Sequence, residues 1–346
     1  MANIIRSYYD AYGLDSLTEK INLVPNTWDI INQLGIFPST VEGTISDSVA
    51  VDLIESNQPV IKDMVRGVRN QYGRDDKRSK KTWGIPHYNL DDVVTAKDVK
   101  NRVAYGKEIT PETVAEAVMR KMASIRRGWA QLRETQRAQI LTDGTAYCPN
   151  GTMSLNYYTE FSVTRKEIDM VWGTSTTDIK GKVTEGVNHI YDNALTGLDP
   201  ITGFVALCHP TFFASLVNHP KLIAAYNQYA SVPEPLRNRL SSNLPMGTQT
   251  FDWNGVLFVE YRGKLVDGTA LIPAGEARLI PTGAFDMFRS FAAPSEKLSD
   301  VNTMGQEMYM YQYLDPHDEG ILIQSESNVL NAVVRPQCIV RLYSST

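Results

Sequence analysis

Apolar residues recur at steps of four, four, three, four and three from Val114 through Val118, Met122, Ile125 and Trp129 to Leu132. That spacing lays one stripe along an α-helix. Thr110 is placed to cap it, Pro111 suits the first helical position, and Glu112 and Glu116 favour its positive end. Asp143-Gly144 ends it. A helix over 110–143 is a rod of roughly 50 Å at ~1.5 Å per residue. Its other faces carry Arg120, Lys121, Arg126, Arg127, Arg133 and Arg137. The pattern predicts a beam lying across a sheet rather than a helix sunk in a globule.

Elsewhere the period shifts. Residues 1–25 read as an extended or partly helical arm, followed by a short amphipathic helix with Trp28, Ile30, Ile31 and Leu34, closed by Gly35. Val49, Val51 and Leu53 alternate as in a strand, and Val60 and Met64 follow. A polar stretch then holds Arg66, Arg69, Arg74, Lys77, Arg78, Lys80 and Lys81, and the chain returns through Trp83, Ile85, Tyr88 and Leu90 to Val93, Val94 and Val99. This predicts a long two-stranded excursion over residues 42–105 with a charged tip. An isolated ribbon is marginal in water, so it needs a partner surface.

Residues 145–172 predict a hairpin about Pro149-Asn150-Gly151, with strand character at Leu155, Tyr157 and Phe161–Val163. A compact α/β unit follows over 177–300. Asp178 caps one helix, a buried strand runs over Phe204–Cys208, and Pro210 and Pro220 open two more helices. A polar excursion over 231–247 contains Pro233, Pro235, Arg237 and Pro245. Strands are expected at Thr248–Trp253, Val256–Tyr261 and Ala270–Pro273, then at Met308–Tyr313, Ile321–Gln324, Val329–Val334 and Cys338–Tyr343.

Composition narrows the function classes. The chain has 346 residues, 42% hydrophobic and 21% charged, enough for one large or two modest folded units. A net charge of −5 argues against tight nucleic-acid binding, which usually needs a basic excess. The three cysteines, Cys148, Cys208 and Cys338, are far apart and form no CxxC pair, so reduced thiols are expected. The first ten residues carry no long apolar run and no stretch of 18 apolar residues occurs, so neither a signal peptide nor a membrane span is expected.

Motifs for chemistry are incomplete. Gly181-Lys182 lacks the upstream glycine and following Ser or Thr of a phosphate loop. Gly173-Thr174-Ser175 lacks the closing glycine of a nucleophile elbow. Cys208-His209 puts thiol beside imidazole, but strand neighbours point to opposite faces. The acidic turn at Asp315–Gly320 lacks calcium-loop spacing. No catalytic residue, cofactor or metal is expected. For the basic run, contact with a neighbouring subunit ranks above a solvated tip, and that above nucleic-acid contact.

The order of parts resembles a Hong Kong 97-type phage capsid fold, an α+β architecture. The closer likeness is to the lambda-type branch, the major capsid protein E family. The stretches that carry it are Cys208-His209-Pro210-Thr211-Phe212-Phe213 with Leu222–Tyr226, Gly255–Gly263, Ala270–Gly275, and Asp315-Pro316 through Ile323–Ser327 to Arg335–Val340.

The resemblance implies an arm (1–41), an extended loop (42–105), a peripheral domain with a spine helix (106–176), an axial domain (177–304) and returning strands (305–346). It implies a shell of hexamers and pentamers around packaged DNA that is contacted weakly and non-specifically. It also implies a separate scaffolding protein, a portal protein, a decoration protein on some shells, assembly in the host cytoplasm and residence in the virion. Subunit contacts are expected at the basic run, Trp83, Arg126, Arg127, Arg133, Pro233, Pro235 and Arg237. Some members cross-link a loop lysine to a neighbour, and Lys80 or Lys81 are the candidates. The alternatives are an encapsulin-like compartment, another phage structural protein or an unrecognised hydrolase.

Overall fold

The computed structural model describes residues 30–55, 77–99, 114–194, 201–228, 248–265, 268–284, 287–317 and 319–345. It opens on one helical turn, α1 (Ile30–Gln33), whose Ile31 is buried. Phe37, just beyond, packs on Phe288 with ring centroids 4.9 Å apart. After β1 (Glu42–Gly43) come β2 (Ser48–Glu55) and β3 (Lys77–Gly84). These two form the expected antiparallel ribbon, in register from Ser48 opposite Gly84 to Glu55 opposite Lys77. Its predicted tip lies outside the described residues.

The chain leaves the ribbon sooner than the sequence suggests. β4 (Tyr88–Asn89), β5 (Asp92–Thr95) and the single turn α2 (Ala96–Val99) follow. Both strands pair with a strand more than 220 residues away, as described below, and not with β2.

The long helix is α3 (Val114–Asp143), 30 residues and so about 45 Å. Val118, Met122, Ile125 and Trp129 are buried along one stripe, as their spacing predicts, whereas Val114 is exposed. Beyond Leu132 the expectation of a surface beam fails. Glu134, Thr135, Gln136, Arg137, Ala138, Ile140, Leu141 and Thr142 are all buried, so the last two turns sink into the main core.

The expected hairpin over 145–172 is reduced to a single bridge between Thr145 and Asn156. Asn156 instead accepts the Tyr158 N–H at 2.9 Å and starts one helical turn, α4 (Tyr157–Glu160). A side-chain cap competes with strand pairing at this position and wins. β6 (Glu167–Asp169) comes next.

The α/β unit forms much as predicted. Asp178 accepts the Gly181 N–H at 3.0 Å and starts α5 (Ile179–Ala194). β7 (Gly203–Cys208) is buried over its last five residues. His209 caps α6 (Pro210–Val217), and α7 (Pro220–Gln228) follows. β8 (Thr250–Trp253) and β9 (Val256–Glu260) join through Asn254 and Gly255, both at positive φ. That is the two-residue hairpin geometry glycine permits.

Ala270–Pro273 is not a strand. Only Ala270 pairs, in one bridge to Lys264. Two strands that the sequence conceals follow it, β10 (Ala277–Thr282) and β11 (Phe288–Ala292). The chain closes with β12 (Tyr309–Leu314), β13 (Gly320–Ser327), β14 (Val329–Val333) and β15 (Val340–Tyr343).

These strands build three further sheets. The largest runs β6-β15-β10-β7-β9-β8, with β6-β15 and β7-β9 parallel. A second has β13 at its centre, with β12 on one edge and β4 and β5 sharing the other. The third is β1-β11-β14. Two apolar clusters result. The smaller puts Val118, Met122, Ile125 and Trp129 of α3 against Val94, Met308, Met310, Ile321 and Ile323. The larger fills the space around the six-stranded sheet and takes in the end of α3.

Candidate assembly surfaces

Alternation along β3 decides which ribbon residues face the subunit itself. Trp83 is buried, edge-on to Tyr157 (5.6 Å) and Phe161 (5.9 Å). Lys81, two residues back on the same face, reaches the Glu160 carboxylate at 3.4 Å and the Glu160 carbonyl at 3.0 Å. Lys80 points the other way and is exposed. Trp83 and Lys81 therefore fasten the ribbon's base to its own subunit. Lys77 and Arg78 lie on β3 further out. Arg66, Arg69, Arg74, Pro233, Pro235 and Arg237 lie outside the described residues.

The three helix arginines separate in the same way. Arg126 is buried, and both it and Arg133 reach the Glu307 carboxylate, Arg126 at 3.4 Å. Their guanidinium groups hold α3 to the segment that enters β12, so the expectation of an outward charged face fails for this pair. Arg127 is exposed, with Nε donating to the Ala123 carbonyl at 3.3 Å.

Two charged clusters escaped the sequence reading. In one, the buried Glu134 carboxylate accepts the Tyr261 hydroxyl at 2.9 Å and the Ile31 N–H at 3.3 Å. One carboxylate thus ties α1 and the end of β9 to α3. Arg137, also buried, stands 5.1 Å over the Phe37 ring.

The other is a ladder across β6, β15 and β10. Arg165 and Arg341 bind Glu167 at 3.2 and 2.9 Å, Arg341 also binds Glu276, and Glu276 binds the buried Arg278 at 2.7 Å. Hydrogen bonds from Arg341 and Arg165 hold Glu167 below the usual glutamate range, against a smaller upward push from burial. Burial pushes Glu276 up, but Arg341 and Arg278 outweigh it and the net shift is down. Arg165 also donates to the carbonyl of Thr142, so the ladder reaches the last turn of α3.

The residues singled out for chemistry have local roles. The Cys208 thiol is fully buried, which raises its pKa, and His209 accepts the Thr211 N–H at 3.2 Å as a helix cap. Asp315 accepts the His317 N–H at 2.7 Å within its own turn. Among the described residues no three His, Cys, Asp or Glu side chains gather as a metal site, and no helix is long and apolar enough to cross a membrane.

The model of one protein family, phage major capsid protein E, matches residues 13–344. The chain belongs to this family. It is a major capsid protein, and it forms the shell of a phage. A curated relative, the major capsid protein of Pseudomonas phage KPP10, is 36% identical over 97% of this chain and 98% of its own length. That of Salmonella phage Felix O1 is 25% identical over 95% of each. In fold, the chain is similar to a chain in the asymmetric unit of the bacteriophage PhiM1 mature capsid, with a TM-score of 0.52 at 14% identity over 91% of this chain and 87% of that one. The α+β architecture is that of Hong Kong 97-type capsids, as the order of parts led us to expect. In this capsid protein the first half of α3 packs on the β12-β13 sheet, and its end packs into the core around the six-stranded sheet.

Proposed function

We propose that this capsid protein is a purely structural subunit, without catalytic activity, whose ribbon clasps a neighbouring copy. The observation that carries the reading is the two-sidedness of β3. Trp83 and Lys81 anchor the base, while the basic strand beyond them extends away from the anchoring contacts. A two-stranded ribbon lacks the burial to hold itself, so the outer part needs another surface. A neighbouring subunit of an acidic chain supplies both area and opposite charge.

In this reading α3 with the β12-β13 sheet is the peripheral unit, and the six-stranded sheet with α5–α7 is the axial unit. Copies gather as hexamers and pentamers into an icosahedral head around double-stranded DNA, which they touch weakly. Shell building takes place in the host cytoplasm with a separate scaffolding protein and a portal protein, some shells carry a decoration protein, and the protein resides in the virion.

The test follows the register. Val51 stands opposite Lys81, so replacing residues 52–80 by a two-residue Asn-Gly turn keeps the anchored base and removes the rest. The shortened chain is expected to stay folded, with unchanged near-ultraviolet circular dichroism, and to stop forming shells in sedimentation. Shells at the wild-type concentration contradict the clasp.

A further inference from the structure

The segment between β11 and β12 presents large aliphatic side chains to solvent from a backbone that is firmly held. Leu298 is 94% exposed, Val301 55% and Met304 61%, and Ile45, which follows the Thr44 bonded to Gly305, is 58% exposed. Surface leucines are common singly, but three large apolar groups within seven residues, with a fourth on the segment bonded to Gly305, mark a contact surface.

The ridge is held from below. The Tyr311 hydroxyl bridges the Ser295 hydroxyl and the Asp300 carboxylate. Lys297 donates to Gln324 at 2.7 Å and stands 5.4 Å over both the Tyr311 and Tyr313 rings. The Thr303 hydroxyl donates to the Asp300 carbonyl at 2.7 Å. At the far end the Gly305 N–H reaches the Thr44 carbonyl at 2.8 Å, and Gly43 lies so close that a Cβ there would stand 2.5 Å from the Gly305 oxygen. A side chain at Gly43 would force the two backbones apart.

We propose that residues 298–304 and Ile45 form a preorganised knuckle that packs on a second copy of this chain in the shell. The occupant follows from two observations. The chain forms a shell, so the surface it meets most often is its own. The knuckle is also joined to the ribbon base, because Thr44 and Ile45 lie between β1 and β2 and Thr44 bonds directly to Gly305. A neighbour that receives the ribbon is thereby brought to the knuckle. Because its backbone is already fixed, docking loses little further conformational entropy. The proposal rests on the shell reading above.

The test is a triple variant, Leu298→Ser, Val301→Ser and Met304→Ser. All three side chains face solvent, so the monomer is expected to unfold at the wild-type temperature, while the concentration needed for shells rises at least tenfold. Variant shells at the wild-type concentration overturn the knuckle alone. Wild-type chains that form no shells, either alone or with a scaffolding protein of the same phage, overturn the shell reading and the knuckle with it.

If the triple variant unfolds, Leu298→Cys carrying a benzophenone label decides the matter. Illumination of labelled shells is expected to give a covalent adduct of twice the chain mass. No adduct, or an adduct to a different protein, overturns the proposal.

Discussion

Glu134 concentrates more of the fold's organisation than any charged residue the sequence drew attention to. Its carboxylate is buried and accepts from Tyr261 and Ile31. Glu134→Ala leaves two buried donors short of an acceptor, each worth about 1–3 kcal/mol when unpaired. Chemical denaturation of the monomer is expected to show a loss of about 3 kcal/mol. Tyr261→Phe removes the hydroxyl that donates to the carboxylate and leaves the Ile31 bond in place, so about 1 kcal/mol is expected. Equal effects of the two would contradict the hub.

Neither Glu134 nor Arg126 was legible as buried, because a charged residue on a helix reads as a solvated face until its partner is known. Arg126 meets Glu307 from 181 residues away, and local sequence carries no trace of that pairing. Trp83, expected at a subunit contact, is buried within its own subunit. Its ring packs edge-on against Tyr157 and Phe161, a pairing with residues more than 70 positions away that local sequence does not name.

At the scale of elements, what could be read followed local periodicity and caps. The stripe of α3, the Asp178 and Pro210 helix starts and the β8-β9 hairpin were all legible for that reason. β10 was not, since Arg278 and Pro281 interrupt its apolar run. The structure accommodates both. Arg278 is paired with Glu276 at 2.7 Å, and Pro281 lies beyond the last residue that β15 covers, where one side of the strand is unpaired. Residues 88–95 were assigned to the ribbon because strand character does not name its partner.

The ladder across β6, β15 and β10 makes a pH prediction. Glu167 and Glu276 are held below the usual glutamate value of about 4.3 in the folded chain. Folding therefore gains stability that is fully present above that value and is lost as pH falls through the depressed values. Thermal unfolding followed from pH 7 down to about pH 3 is expected to show a steep acid limb in the wild type and a shallower one in Glu167→Gln. Superimposable limbs would remove the ladder from the acid response.

For the whole molecule, the parts fit one physical pattern. The core is large, and the ribbon is anchored to it only at its base through Val49, Val51 and Trp83, while Lys80, Leu298, Val301 and Met304 face solvent. Such surfaces are stabilised when identical copies close around one another, each contact weak and the sum set by symmetry. The family match and the fold agree with that pattern.

Electron microscopy of the full-length protein, expressed alone and with a scaffolding protein of the same phage, tests it most directly. The account predicts closed shells of uniform diameter in at least one of the two preparations. Monomers, small oligomers or shapeless aggregates in both would contradict it.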